Sequence, residues 1–117
     1  MVQLIALEPD LLFSSKIESI AAMLGVETRI VTSLRDLRAA LTAEEPKIMV
    51  VNLDAFVGQL ESLAELTGNK SFRIVGYYSH VNAKLAEEAS RMGAGSILPR
   101  GAFLNKIRDV LTGLMSA

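Results

Sequence analysis

The chain has 117 residues and a mass of 12.6 kDa, which fits a single domain spanning residues 1–117. Half of the residues are hydrophobic and 21% are charged, the balance of a folded globular domain. The absence of cysteine excludes disulfides and thiolate chemistry, and the single histidine excludes a site with two imidazoles. A net charge of −1 argues against a nucleic-acid binder, which usually carries a basic excess.

The sequence also argues against membrane attachment. Its longest apolar run, Ile20–Val26, is far shorter than the roughly 20 residues of a membrane span. The first ten residues lack a basic flank and contain a short apolar stretch, which predicts a strand rather than a signal peptide. We therefore expect a cytoplasmic protein.

Short apolar runs alternate with stretches of helical periodicity along the chain. The runs are typical of strands covered on both faces, whereas the longer stretches place apolar residues three and four positions apart, as amphipathic helices do. Ser33, with Asp36 three residues on, predicts a helix N-cap. In chain order the pattern predicts strand Val2–Leu7, helix Leu11–Leu24, strand Thr28–Val31, helix Leu34–Leu41, strand Ile48–Val51, helix Phe56–Leu66, strand Phe72–Tyr78, helix Lys84–Met92, strand Ser96–Leu98 and helix Phe103–Leu114.

This alternation predicts a three-layer α/β sandwich, in which a five-stranded parallel sheet carries helices on both faces. Ligands of such sheets bind beyond the carboxyl ends of the strands. The candidate functional residues are therefore the polar ones that follow the strands. They are Glu8, Pro9 and Asp10 after the first strand, Asn52 and Asp54 after the third, Tyr78, Ser79 and His80 after the fourth, and Pro99 and Arg100 after the fifth.

Two segments carry a resemblance to a known family. The segment MGAGSILPRGAF, residues 92–103, is similar to the part of receiver domains in which a Gly-Ala pair ends helix 4 and a basic residue ends strand 5. The segment PKIMVVN, residues 46–52, is similar to the run of apolar residues that leads to the phosphoacceptor aspartate. With the order and lengths of the elements, they make the whole chain resemble the receiver domain of bacterial response regulators. The resemblance implies a flavodoxin-like fold with strand order 2-1-3-4-5.

The resemblance also implies a phosphotransfer site, from which this chain departs at nearly every position. In the family, two carboxylates and the acceptor aspartate hold magnesium, a lysine neutralises the phosphoryl group, and a serine or threonine binds it. Counted without gaps, Glu8 and Pro9 fall on the two acidic positions and Asn52 on the acceptor. Tyr78 falls on the hydroxyl position and Arg100 on the lysine. We therefore expect a pseudo-receiver: a non-enzymatic protein-interaction domain with no metal and no cofactor.

Two alternatives stay open. A register shift of two would make Asp54 the acceptor, with Glu8 and Asp10 holding magnesium; otherwise Asp54 starts or caps the next helix. Arg100 itself either pairs with Glu8, Asp10 or Asp54, in the space that a metal would occupy, or is solvated at the end of the strand. In the other alternative, a small ligand is sensed at the carboxyl end of the sheet, near Arg100. The candidate recognition turn for that ligand consists of Tyr77, Tyr78, Ser79 and His80.

The partner surface that the resemblance implies is formed by helix 4, strand 5 and helix 5, and it would bind another protein or a second copy. The apolar stripe of the last predicted helix, Phe103–Leu114, is wider than one buried face requires. Leu104 and Leu111, seven residues apart, share one side of that stripe. We predict that they lie at the rim of the core and line a partner surface together with Arg108; the alternative is that both are buried core residues.

Overall fold

A computed structural model describes residues 1–68, 70–79, 83–91 and 93–116. The predicted helix end at Met92 lies outside the described residues. No helix within those ranges has both the length and the hydrophobicity needed to cross a membrane. In chain order the strands and α-helices are β1 Leu4–Leu7, α1 Leu11–Met23, β2 Thr28–Val31, α2 Leu34–Ala43, β3 Ile48–Asn52, α3 Leu60–Thr67, β4 Arg73–Tyr78, α4 Ala83–Arg91, β5 Ser96–Pro99 and α5 Arg100–Ser116.

The strands form one parallel sheet in the order β2-β1-β3-β4-β5, which confirms the predicted topology. Leu4 of β1 pairs with Thr28 on one side and with Ile48 on the other. At the opposite end of the ladder, Asn52 of β3 pairs with Tyr77 of β4. Because all strands run in one direction, the residues that follow them meet at one edge of the sheet.

The core lies in two layers, one on each face of the sheet. Alternate residues of β1 enter opposite layers, as the two-residue period of a strand requires. Ile5 packs with buried residues of α2, α3 and α4, whereas Ala6 packs with buried residues of α1 and α5. Both residues are fully buried, so β1 is covered on both sides, as its apolar run predicts.

Local signals in the sequence account for the start of α2 but not for the start of α3. The Ser33 hydroxyl accepts a hydrogen bond of 3.1 Å from the Asp36 backbone N–H, which confirms the predicted N-cap of α2. The predicted third helix begins too early. Phe56 belongs to a short 3₁₀ helix, Asp54–Phe56, and α3 starts only at Leu60. Between them Gly58 has a φ of 86°, a left-handed conformation that breaks the helical path.

Gly76, in the middle of β4, leaves room for a neighbouring side chain. A methyl group at position 76 would lie 2.9 Å from Cδ1 and 3.0 Å from Cγ of Leu53, closer than carbon atoms approach each other. Leu53 is fully buried and directly follows Asn52 at the end of β3. The missing side chain of Gly76 therefore lets the chain leaving β3 pack closely against β4.

Candidate functional site at the carboxyl ends of the strands

A buried carboxylate lies at the centre of the candidate site. Glu8 directly follows β1 and is 0% exposed. Asn52 Nδ2 donates to both of its oxygens, at 2.9 Å to Oε2 and 3.2 Å to Oε1. The Tyr77 hydroxyl donates to Oε1 at 2.8 Å, and the Asp10 backbone N–H donates to Oε2 at 3.1 Å. Each oxygen thus accepts two hydrogen bonds, which offset the cost of removing the carboxylate from water.

Asn52 is oriented at both ends of its side-chain amide. The amide oxygen accepts a hydrogen bond of 3.2 Å from the Ala55 backbone N–H, within the turn that follows β3. Because an amide has donors on nitrogen and acceptors on oxygen, this bond directs the NH₂ group towards Glu8. Asn52, which the sequence predicts at the acceptor position, therefore serves as a donor to the Glu8 carboxylate.

Tyr77 supplies the third side chain of the network. It is 1% exposed, and its ring stacks on Phe103 at a centroid distance of 4.2 Å and lies 5.0 Å from the ring of Phe13. Burial, and next the Glu8 carboxylate, raise the pKa of the Tyr77 phenol well above its usual range. The phenol is therefore a neutral hydrogen-bond donor.

Sequence counting placed Tyr78, not Tyr77, at the hydroxyl position of the site. The structure makes Tyr77 the contributor, whereas Tyr78 is only partly buried and packs against the layer of α2, α3 and α4. Successive strand residues point to opposite faces, so the two tyrosines serve different layers. The aromatic residues Phe13 and Phe103 on the predicted α1 and α5 were the signal that could have identified Tyr77.

An ion pair lies at the rim of the site. Arg100, the first residue of α5, places Nη2 3.2 Å from Oδ2 of Asp10. Asp10 also caps α1, because its Oδ1 accepts a hydrogen bond of 3.0 Å from the Leu12 backbone N–H. The guanidinium carbon lies 4.0 Å from the centre of the Phe13 ring, a cation–π geometry. Of the three predicted partners, Arg100 thus meets Asp10, and its hydrogen bond lowers the pKa of that carboxyl.

A second contact ties two loops together at the rim. Asp54 accepts a hydrogen bond from the Ser79 backbone N–H, which joins the turn after β3 to the end of β4. Asp54 is the first residue of the 3₁₀ helix, as one alternative predicted, but it does not cap that helix, whose N-cap is Leu53. His80, the last residue of the candidate recognition turn, lies outside the described residues.

The remaining predicted residues lie outside the hydrogen-bond network around Glu8. Pro9 is exposed between Glu8 and Asp10, and Pro99 ends β5. Leu111 is 0% exposed and belongs to the core layer beneath α5, so its prediction as a rim residue is wrong. Leu111 continues the stripe of Phe103 and Ile107, at intervals of four residues, that packs in the core layer against the sheet. Leu104 is half-buried and lines a groove with residues of α1.

Three grooves on the described surface also lie apart from the network. One, of about 420 Å³, runs between α3 and α4, and a wider one lies at the amino end of the sheet. The third, of about 360 Å³, lies between α1 and α5. None of the three is lined by Ser79 or Arg100, so the small-ligand alternative gains no support from them.

Comparison with solved structures finds response regulators. One from Thermotoga maritima matches with a TM-score of 0.81 at 9% identity, covering 100% of this chain and 99% of that chain. An orphan response regulator of H. pylori matches with a TM-score of 0.76 at 12% identity, covering 98% of this chain and 94% of that chain. A response-regulator receiver domain from Bermanella marisrubri matches with a TM-score of 0.72 at 21% identity, covering 92% of this chain and 95% of that chain. No protein-family model and no curated protein matches the sequence.

The chain has the receiver fold of response regulators. The magnesium site that the receiver fold implies can be tested against the residues present. Magnesium is held through carboxylate oxygens and water. Here the Glu8 oxygens face N–H and O–H donors, and Asn52 directs its NH₂ group into the same space. The Arg100 guanidinium already neutralises Asp10. The described residues include no group of three or more acidic or histidine side chains able to hold a metal, and this donor set does not fit magnesium.

Proposed function

We propose that this chain is a receiver-like protein-interaction domain of bacterial signal transduction that acts in the cytoplasm without being phosphorylated and without catalysing a reaction. The observation that carries the proposal is the hydrogen bond from Asn52 to Glu8. The residue at the acceptor position is a neutral amide, which cannot form an acyl phosphate. Its amide group stabilises a buried carboxylate instead of receiving a phosphoryl group.

The surroundings of Asn52 support the same conclusion. Phosphoryl transfer needs cations that neutralise the negative charge developing on the transferred group. At this edge of the sheet, Arg100 is already paired with Asp10, and Glu8 is buried beneath its donors. An incoming phosphoryl group would therefore meet carboxylates without a compensating free cation among these residues.

Asp54 is the alternative acceptor, and its contact argues against that role. One of its oxygens accepts a hydrogen bond from the Ser79 backbone N–H. That bond joins the turn after β3 to the end of β4. We therefore treat Asp54 as a structural link between the ends of β3 and β4.

The contacts between loops also suggest how such a domain would act. The Glu8 network joins β1, β3 and β4, and the rim contacts join β1 to α5 and β3 to β4. These contacts hold the loops in one arrangement in the absence of any modification. A partner would then bind a surface that is always present, and regulation would come from the amounts of the two proteins.

Treatment with acetyl phosphate and Mg²⁺, followed by intact-protein mass spectrometry, tests the proposal. We expect no phosphorylated species, and no change in backbone NMR spectra when beryllofluoride and Mg²⁺ are added. An active receiver domain in the same buffer is the positive control. A stoichiometric acyl phosphate that disappears in Asp54→Asn would overturn the proposal and establish Asp54 as the acceptor.

A further inference from the structure

We draw no further inference here: the strongest candidate, the groove of about 1020 Å³ at the amino end of the sheet, combines half-buried apolar residues with exposed side chains of both charges, such as Arg38 and Glu45, and nothing in the structure shows what covers it.

Discussion

Two carboxylates that are only two residues apart, Glu8 and Asp10, lie in contrasting surroundings. Glu8 is fully buried, and the groups that bind it are an amide, a phenol and a backbone N–H. Asp10 keeps 46% of its side chain exposed and faces a cation, Arg100, which is itself 39% exposed. Water screens the rim pair, whereas the groups that bind the buried Glu8 are neutral donors. The interior of the site should therefore respond strongly to substitution and the rim weakly.

The largest effect is expected when a second carboxylate enters the interior. Asn52→Asp would place an acidic oxygen where Nδ2 now lies 2.9 Å from Glu8. We expect a loss of about 3–5 kcal/mol in the free energy of unfolding at pH 8, because the buried charges repel and the donor is lost. Urea denaturation measures it, and equal stability of the variant and the wild type would contradict the described network.

Removing one donor should have a smaller effect. Tyr77→Phe keeps the stacked ring but deletes the 2.8 Å hydrogen bond to Glu8. We expect a loss of about 1.5–3 kcal/mol, the usual range for a hydrogen bond to a charged group. Tyr78→Phe, the matched change on the next residue, should be nearly neutral. Comparable losses in the two variants would show that the Glu8 contact contributes nothing.

Alkaline pH tests the same phenol without a change in its packing. Since the pKa of Tyr77 is raised in the folded protein, only the unfolded chain loses this proton near pH 10. The contribution of the Tyr77 phenol to the free energy of unfolding should therefore be fully present below pH 10. Above pH 10 it should fall by about 1.4 kcal/mol for each pH unit. The difference in stability between the wild type and Tyr77→Phe, measured from pH 8 to pH 11, should narrow accordingly. A constant difference would mean that the phenol titrates normally.

The rim should give the smallest effect. Arg100→Ala removes the contacts to Asp10 and to the Phe13 ring, but both charged groups are substantially exposed. We expect a decrease in Tm of about 5 °C or less, and a smaller one in 0.5 M salt, because exposed pairs are screened. Since Arg100 lowers the pKa of Asp10, this contribution is present at neutral pH and is lost as the pH falls through that pKa. A large decrease in Tm would show that the rim pair is as critical as the interior.

The sequence predicted the elements better than the contacts between them. The β-strands were predictable because their apolar runs are buried only in a sheet that is covered on both faces. The Ser33 cap was predictable because it depends on a hydrogen bond to a residue only three positions away. The missed break before α3 depends on Gly58, whose φ of 86° is visible only when the backbone is known. Periodicity alone counts Phe56 and Leu60 as one helical face.

The sequence predicted which residues of the candidate site lie near one another, but not which of them contact each other. Parallel topology is sufficient to gather Glu8, Asn52 and Arg100 at one edge of the sheet. It does not determine which of two adjacent tyrosines turns inwards, or which of three carboxylates meets Arg100. Those choices depend on aromatic packing around Phe13 and Phe103 and on the path of each loop, which arise from residues far apart in the chain.

The close approach of Leu53 to Gly76 gives the polar network a mechanical dependence on a purely apolar contact. Leu53 directly follows Asn52 and precedes Asp54, so a displacement of Leu53 would also change the positions of these two polar residues. An alanine at position 76 would push Leu53 away from β4, because the three atoms nearest to its methyl group all belong to the Leu53 side chain. The geometry of the donors around Glu8 is thus set in part by the absence of a methyl group on the neighbouring strand.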